Sequence, residues 1–127
     1  MGIVEAFQRL RGQWAAWQRR RLFPESRVLV ELEEGVVRCT WPSTEPAEIN
    51  LAKLKRVVIE TTDAGPYACD VFWHLDDADG ARITVPKGAT GENDLVDYLL
   101  DLDGFDHMLM IAAMGSTNNE VFECWTG

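Results

Sequence analysis

The sequence predicts an α+β domain built on a bent antiparallel sheet, or a small open barrel, of five to seven strands. Three observations predict this class. Short β-branched runs are separated by turn residues, which is typical of consecutive hairpins rather than of parallel βαβ units. Two segments late in the chain have helical periodicity and precede a last strand. With 127 residues, the chain is long enough to bury the core of a single domain, residues 1–127.

Residues 1–24 predict an amphipathic basic helix that docks on the rest of the domain or flanks it. Apolar residues recur at steps of three and four, so they share one narrow stripe of a helix. Arg19 and Arg20 lie off this stripe, and Pro24 favours a stop after it. The stripe consists of Ile3, Phe7, Leu10, Trp14 and Trp17.

The next segment predicts a hairpin and two further strands. Val28–Leu32 alternates apolar and polar residues, residues 33–35 supply a turn, and Val36–Trp41 returns as a β-rich run. After a polar loop, a short strand is expected at Ile49–Leu51. A longer strand is expected at Val57–Thr62, which begins with three β-branched residues.

A second hairpin is predicted around an aspartate-rich turn. Val71–Leu75 places Trp73 on one face and His74 on the other, and Arg82–Val85 pairs back. The turn between them ends in Asp-Gly, a dipeptide that favours tight hairpin turns.

Two helices and a last strand complete the predicted order. One helix is expected from Gly91 to Leu102, with Thr90 as its N-cap, and another from about Phe105 to Met114. A strand follows at Val121–Trp125. The residues expected to face inward from the first helix are Leu95, Tyr98, Leu99 and Leu102. This order is similar to a pleckstrin-homology-like arrangement, an analogy that carries no functional weight.

Five short runs of the chain also carry a resemblance. They are residues 60–66 (ETTDAGP), 70–73 (DVFW), 86–92 (PKGATGE), 104–106 (GFD) and 122–125 (FECW). Together they resemble a group of short bacterial proteins of unassigned function. The likeness covers about residues 55–125, and the N-terminal helix lies outside it. It implies a bacterial source and no particular activity.

Charge is divided very unevenly along the chain. Residues 1–27 carry six arginines against two glutamates, a formal +4. Residues 28–127 carry six Lys or Arg against nineteen Asp or Glu, a formal −13. An acidic body repels nucleic-acid phosphates and speeds association with basic partners. The charge therefore disfavours nucleic acid and favours a basic protein partner, with plain solubility as the alternative.

The leading hypothesis is a non-enzymatic, cytoplasmic protein-binding module, of which an immunity-type inhibitor of a basic partner is the most concrete form. Acidic residues at turns and element ends are the predicted contacts, because exposure is expected there. Three lie at a hairpin tip and three at the junction of the two late helices: Asp76, Asp77, Asp79, Asp101, Asp103 and Asp106.

Two other classes stay open. The N-terminal helix would organise a homo-oligomer or lie on an anionic membrane surface, with tryptophans at the headgroups and arginines on phosphates. Its contacts would be Phe7, Trp14, Trp17, Arg19 and Arg20. Alternatively, His74 would act as the general base of a small enzyme. The competing interpretation of His74 is a structural histidine on a sheet.

Neither a cofactor nor a metal site is predicted. The three cysteines, Cys39, Cys69 and Cys124, are widely spaced and form no CxxC pair, which disfavours zinc and favours reduced thiols. Asp77, Asp79 and Gly80 fit a calcium loop, but its first and last positions fall on Leu75 and Pro86. Residues 88–91 lack the Lys-Ser/Thr end of a phosphate loop. No apolar run is long enough to span a membrane, and no signal peptide is expected.

Overall fold

The computed structural model describes residues 25–63 and 70–127. The predicted helix of residues 1–24 lies outside these described residues. Within them the fold is α+β, with two antiparallel sheets of three and four strands and two α-helices, which confirms the predicted class. The seven strands form two sheets rather than one bent sheet, and they do not close into a barrel. The pleckstrin-homology-like arrangement stays a prediction.

The smaller sheet consists of β1 (Leu29–Glu33), β2 (Val36–Thr40) and β3 (Ala47–Asn50), in that order. The turn between β1 and β2 has positive φ at both Glu34 (52°) and Gly35 (79°). Positive φ at both central residues is the two-residue hairpin geometry that matches the natural twist of paired strands. The predicted first hairpin is therefore confirmed.

The larger sheet has the order β6-β5-β4-β7. Its strands are β4 (Leu54–Thr61), β5 (Val71–Asp77), β6 (Arg82–Pro86) and β7 (Glu120–Thr126). β4 is central, since it pairs antiparallel with β5 on one side and with β7 on the other. Its side chains Val57 and Ile59 are fully buried, as are Trp73 and Leu75 of β5. Strand alternation thus directs one face of this sheet into the core.

Both predicted helices are present, with different ends. α1 spans Glu92–Leu100 and α2 spans His107–Met114. Gly91, in the left-handed conformation, is the N-cap of α1 instead of Thr90. The backbone of Thr90 is held against β1 by hydrogen bonds with Val28 and Val30, and its hydroxyl donates to the carbonyl oxygen of Ser26 at 2.6 Å, so the helix begins one residue later than expected. α2 begins two residues later than expected, after Asp106, whose carboxylate accepts from the N–H of Leu109 at 2.9 Å.

One inward-facing expectation for α1 is wrong. Leu95 and Leu99 are buried, whereas Tyr98 is 38% exposed. α1 packs on β1 of the smaller sheet, and this contact uses the leucine side of the helix. Tyr98 is therefore at the edge of the packed side of α1 and partly open to solvent.

The two sheets are joined where the segment before α1 pairs in parallel with β1. The N–H of Val30 donates to the carbonyl of Thr90 at 2.8 Å, and the N–H of Thr90 donates to Val28 at 2.9 Å. In β6, the carbonyl of Thr84 accepts from the Trp41 indole at 3.0 Å. Buried apolar residues of both sheets and both helices therefore form one cluster.

The Gly91→Ala substitution should destabilise the fold strongly. Gly91 has φ +89°, and a Cβ there would fall on the carbonyl oxygen of Val30. We expect a loss of about 3–4 kcal/mol in the free energy of unfolding, since left-handed strain adds to broken hydrogen bonds with β1. Urea unfolding measures it. Gly80→Ala is the matched control, because Gly80 has φ +88° and open space around it. Equal losses in both variants would contradict the proposed close contact.

Candidate functional site

The first predicted contact, Asp76, is a partner of basic residues within the larger sheet. Arg82 donates from Nε and Nη2 to its two carboxylate oxygens at 2.5 and 2.9 Å. Arg56 lies 3.6 Å from the same carboxylate, which is only 19% exposed. The Arg82 hydrogen bonds and the positive charges hold the pKa of Asp76 below its usual range, against an opposing effect of burial. The Asp76 carboxylate is therefore engaged in ion pairs within the larger sheet.

The next two aspartates build the β5–β6 turn. The Asp77 carboxylate accepts from the N–H groups of Asp79 at 2.9 Å and of Ala81 at 2.8 Å. Such side-chain bonds to nearby backbone stabilise a tight turn. The Asp79 carboxylate lies 3.1 Å from Nζ of Lys53, and both side chains are well exposed, so this pair contributes little stability.

The aspartates between the two helices differ in how free their carboxylates are. Asp106 caps α2, and its backbone N–H donates to the carbonyl of Cys124 at 2.8 Å. Asp101 and Asp103 are exposed. The carbonyl of Asp103 accepts from the Trp125 indole at 2.9 Å. Within residues 25–63 and 70–127, no ion pair or side-chain hydrogen bond involves the carboxylate of Asp101 or Asp103.

The structure brings the two groups of aspartates to the same end of the larger sheet. Asp77 pairs with the first residue of β4, and Arg56, two residues further on, pairs with Thr126 of β7. The neighbouring Trp125 reaches Asp103. Basic residues share this end of the sheet: Lys53, Lys55, Arg56 and Arg82. The charge of the hairpin aspartates is therefore largely compensated.

Uncompensated acid lies on the outer side of α1. Asp94, Asp97, Tyr98 and Asp101 recur at steps of three and four and are exposed, so they share one face of the helix. None of the three carboxylates takes part in an ion pair in the described part of the chain. The charge pattern of the sequence indicates unpaired acid in this region, because residues 88–127 contain eight acids and no Lys or Arg.

Exposed apolar side chains lie on α2, whose first turn contacts the C-terminal end of α1. Met108 is 75% and Ile111 is 59% exposed on α2. Nε2 of His107 lies 2.9 Å from the carbonyl oxygen of Leu100 and donates to it, so the first turn of α2 is held against the end of α1. An exposed apolar patch beside polar groups is typical of a protein-binding site. We define the helix-pair surface as Asp94, Asp97, Tyr98, Asp101, Asp103, Met108 and Ile111.

His74 lies on the opposite face of β5 from the core residues Trp73 and Leu75. Its Nε2 is 2.7 Å from the Glu60 carboxylate, and its Nδ1 is 2.8 Å from the Thr84 hydroxyl. These two contacts link β5 to β4 through Glu60 and to β6 through Thr84. The His74 side chain is only 10% exposed. A general base needs a nitrogen that reaches the substrate proton, and here both nitrogens contact protein groups. The geometry favours a structural histidine.

The glycine-containing segment before α1 is not arranged for an anion. The N–H of Gly88 donates to the Glu92 carboxylate at 2.9 Å. That carboxylate occupies the position next to the helix N-terminus that a phosphate would need. In the described residues, no group of three or more His, Cys, Asp or Glu side chains could hold a metal ion.

Several predicted contacts lie outside the described residues. They are Phe7, Trp14, Trp17, Arg19 and Arg20 of the N-terminal segment. The oligomer and membrane hypotheses therefore stay predictions. No helix in residues 25–63 or 70–127 combines the length and the apolar character needed to cross a membrane.

Comparisons of the chain with known proteins identified no relative. The chain matches no protein-family model, no curated protein and no solved structure. The resemblance of residues 55–125 to short bacterial proteins stays a prediction. The function is therefore inferred from the geometry of the helix-pair surface.

Replacing Asp76 should give a pH-dependent loss of stability. Because its pKa is lowered in the folded protein, the contribution is full above the usual aspartate pKa of about 3.9 and disappears as the pH falls through the lowered value. At pH about 7 we expect Asp76→Asn to lose about 1–2 kcal/mol in urea unfolding. The difference from wild type should narrow toward pH about 3. Asp79→Asn is the control, with a loss well under about 1 kcal/mol. A pH-independent difference would contradict the role given to Asp76.

The described thiols should be unreactive in the folded protein. Burial raises the pKa of Cys39 and of Cys124 to about 11, and the charge of Asp106 adds to the effect at Cys124. Since the thiolate is the reactive form, iodoacetamide at neutral pH should label both at least about 100-fold more slowly than in unfolded protein. Peptide mapping separates them from Cys69. Equally fast labelling in folded and unfolded protein would contradict this expectation.

Proposed function

We propose that the protein is a non-enzymatic, cytoplasmic module that binds a basic protein through the helix-pair surface. One observation carries the proposal: exposed carboxylates without ion pairs in the described chain lie beside exposed apolar side chains. Asp101 and Asp103 supply the former, and Met108 and Ile111 supply the latter. Charged groups alone would also suit a merely soluble surface. Their combination with an exposed methionine and isoleucine is more typical of an interface.

The two components of the surface have different roles in binding. The carboxylates of Asp97, Asp101 and Asp103 attract a basic partner and set its orientation. Met108 and Ile111 provide apolar area that leaves water on binding, and methionine adapts to varied partner shapes. The partner class is therefore a protein with Lys or Arg residues around an apolar anchor. An immunity-type inhibitor, which covers the basic site of another protein, is the most concrete version.

The proposal divides the predicted aspartates by role. Asp101 and Asp103 are assigned to direct contact with the partner. Asp77 and Asp106 have carboxylates that bind backbone N–H groups, and Asp76 pairs with arginines. We assign these three, together with Asp79, to the general negative field rather than to individual contacts.

Removing the charge of the helix-pair surface should weaken partner binding. We expect the wild-type chain to capture a basic protein from a lysate at about 50 mM salt and to lose it at about 300 mM, because salt screens exposed charges. Asp97→Asn/Asp101→Asn/Asp103→Asn should reduce the affinity at least about tenfold and flatten its salt dependence. The measurement is quantitative mass spectrometry of the bound fraction.

The control removes the same number of charges from another surface. Glu31→Gln/Glu33→Gln/Glu45→Gln changes exposed glutamates of the smaller sheet and its loop and should leave capture unchanged. Met108→Ser/Ile111→Ser should weaken capture at both salt concentrations, because its effect does not depend on charge. Equal affinity at low and high salt, or equal loss in the control, would overturn the proposed site.

A further inference from the structure

The described chain enters the fold next to the N-terminal end of α1. The N–H of Val28 donates to the carbonyl of Glu25 at 2.9 Å, which forms a single turn before β1. A Cβ placed at Gly88 would lie 3.4 Å from Cβ of Glu25, and Ser26 accepts the hydrogen bond from Thr90 at 2.6 Å. The basic segment that precedes Glu25 is therefore attached beside the helix that carries the acidic face.

The composition of that segment is complementary to the helix-pair surface. Residues 1–24 hold five arginines against one glutamate, a formal +4, whereas the helix-pair surface holds four aspartates and no Lys or Arg. The segment also carries an apolar stripe that includes Trp14 and Trp17. Arginines around an apolar stripe match carboxylates around Met108 and Ile111 in both charge and hydropathy.

The length of the segment is sufficient to cover the surface. In helical form, residues 2–22 would extend about 31 Å at 1.5 Å per residue, and α1, with nine residues, extends about 13 Å. Starting beside the beginning of α1, the segment can reach past its end to the first turn of α2. No additional linker is required.

We propose that residues 2–22 bind the helix-pair surface of their own chain, so that a basic protein partner must displace them. The inference rests on the proposed function, since it assigns regulation to the same surface. Attachment at Glu25 gives the segment an effective concentration on the order of millimolar. A contact too weak to hold two separate molecules together is then sufficient to occupy the surface in the free protein, and it lowers the apparent affinity for a partner.

Hydrogen exchange of the full-length chain tests this occupancy. In the wild type we expect amides of residues 2–22 to exchange more slowly than in an unfolded chain. Asp97→Asn/Asp101→Asn/Asp103→Asn should speed their exchange about tenfold or more. The variant Glu31→Gln/Glu33→Gln/Glu45→Gln, matched in charge, should leave it unchanged.

Reversing the charges on both sides gives a second test, in which protection of residues 2–22 is first lost and then expected to return. Arg19→Glu/Arg20→Glu/Arg21→Glu should abolish the protection and raise the capture of a basic partner. Adding Asp97→Lys/Asp101→Lys/Asp103→Lys to that variant should restore the protection, because the two signs are interchanged.

Three results would overturn the inference. The first is exchange of residues 2–22 at the unfolded rate in the wild type. The second is protection that rises with protein concentration, which would place the segment on a second copy. The third is protection that appears only with anionic phospholipid vesicles, which would assign it to a membrane surface. Failure of the proposed function is distinguishable, since it is a loss of partner capture with the protection of residues 2–22 intact.

Discussion

The fold depends on the parallel pairing between β1 and the segment that leads into α1. Thr90 exchanges two backbone hydrogen bonds with Val28 and Val30, and Gly91 lies against the carbonyl of Val30 with no room for a side chain. These bonds pair backbone groups on the edge of β1 that faces away from β2. They also fix the start of α1, and through it the direction in which the acidic face points.

The acidic residues fall into two groups whose carboxylates differ in hydration and in pairing with basic residues. A carboxylate that neighbouring side chains largely cover loses water, and it needs a positive partner to offset that loss, as Asp76 has in Arg82 and Arg56. A carboxylate on the outside of a helix stays hydrated and needs no partner, as at Asp97. Formal charge counted along a sequence therefore overestimates the acid available to another molecule.

Sequence patterns predicted most of the strands, because alternation and turn residues are local signals. The N-cap prediction for α1 is wrong, since the backbone of Thr90 pairs with Val28 and Val30, which lie about 60 residues away in sequence. Tyr98 was assigned inward because a helical stripe does not show which neighbour the helix packs on. The pairing of Asp76 with Arg82 follows from hairpin register, whereas the contribution of Arg56 comes from β4 and has no local signal. Likewise, hydropathy alone gave no indication that Met108 would be exposed.

Asp106 holds α2 in place from two directions. Its carboxylate caps the helix, and its backbone N–H binds the carbonyl of Cys124 in β7. α2 cannot shift without breaking the hydrogen bond that fixes it to the sheet. A partner at Met108 and Ile111 would therefore meet a helix whose N-terminal end is already anchored, so that little conformational entropy is lost in ordering it. The heat-capacity change of association at this site would then report the apolar area covered rather than a folding step.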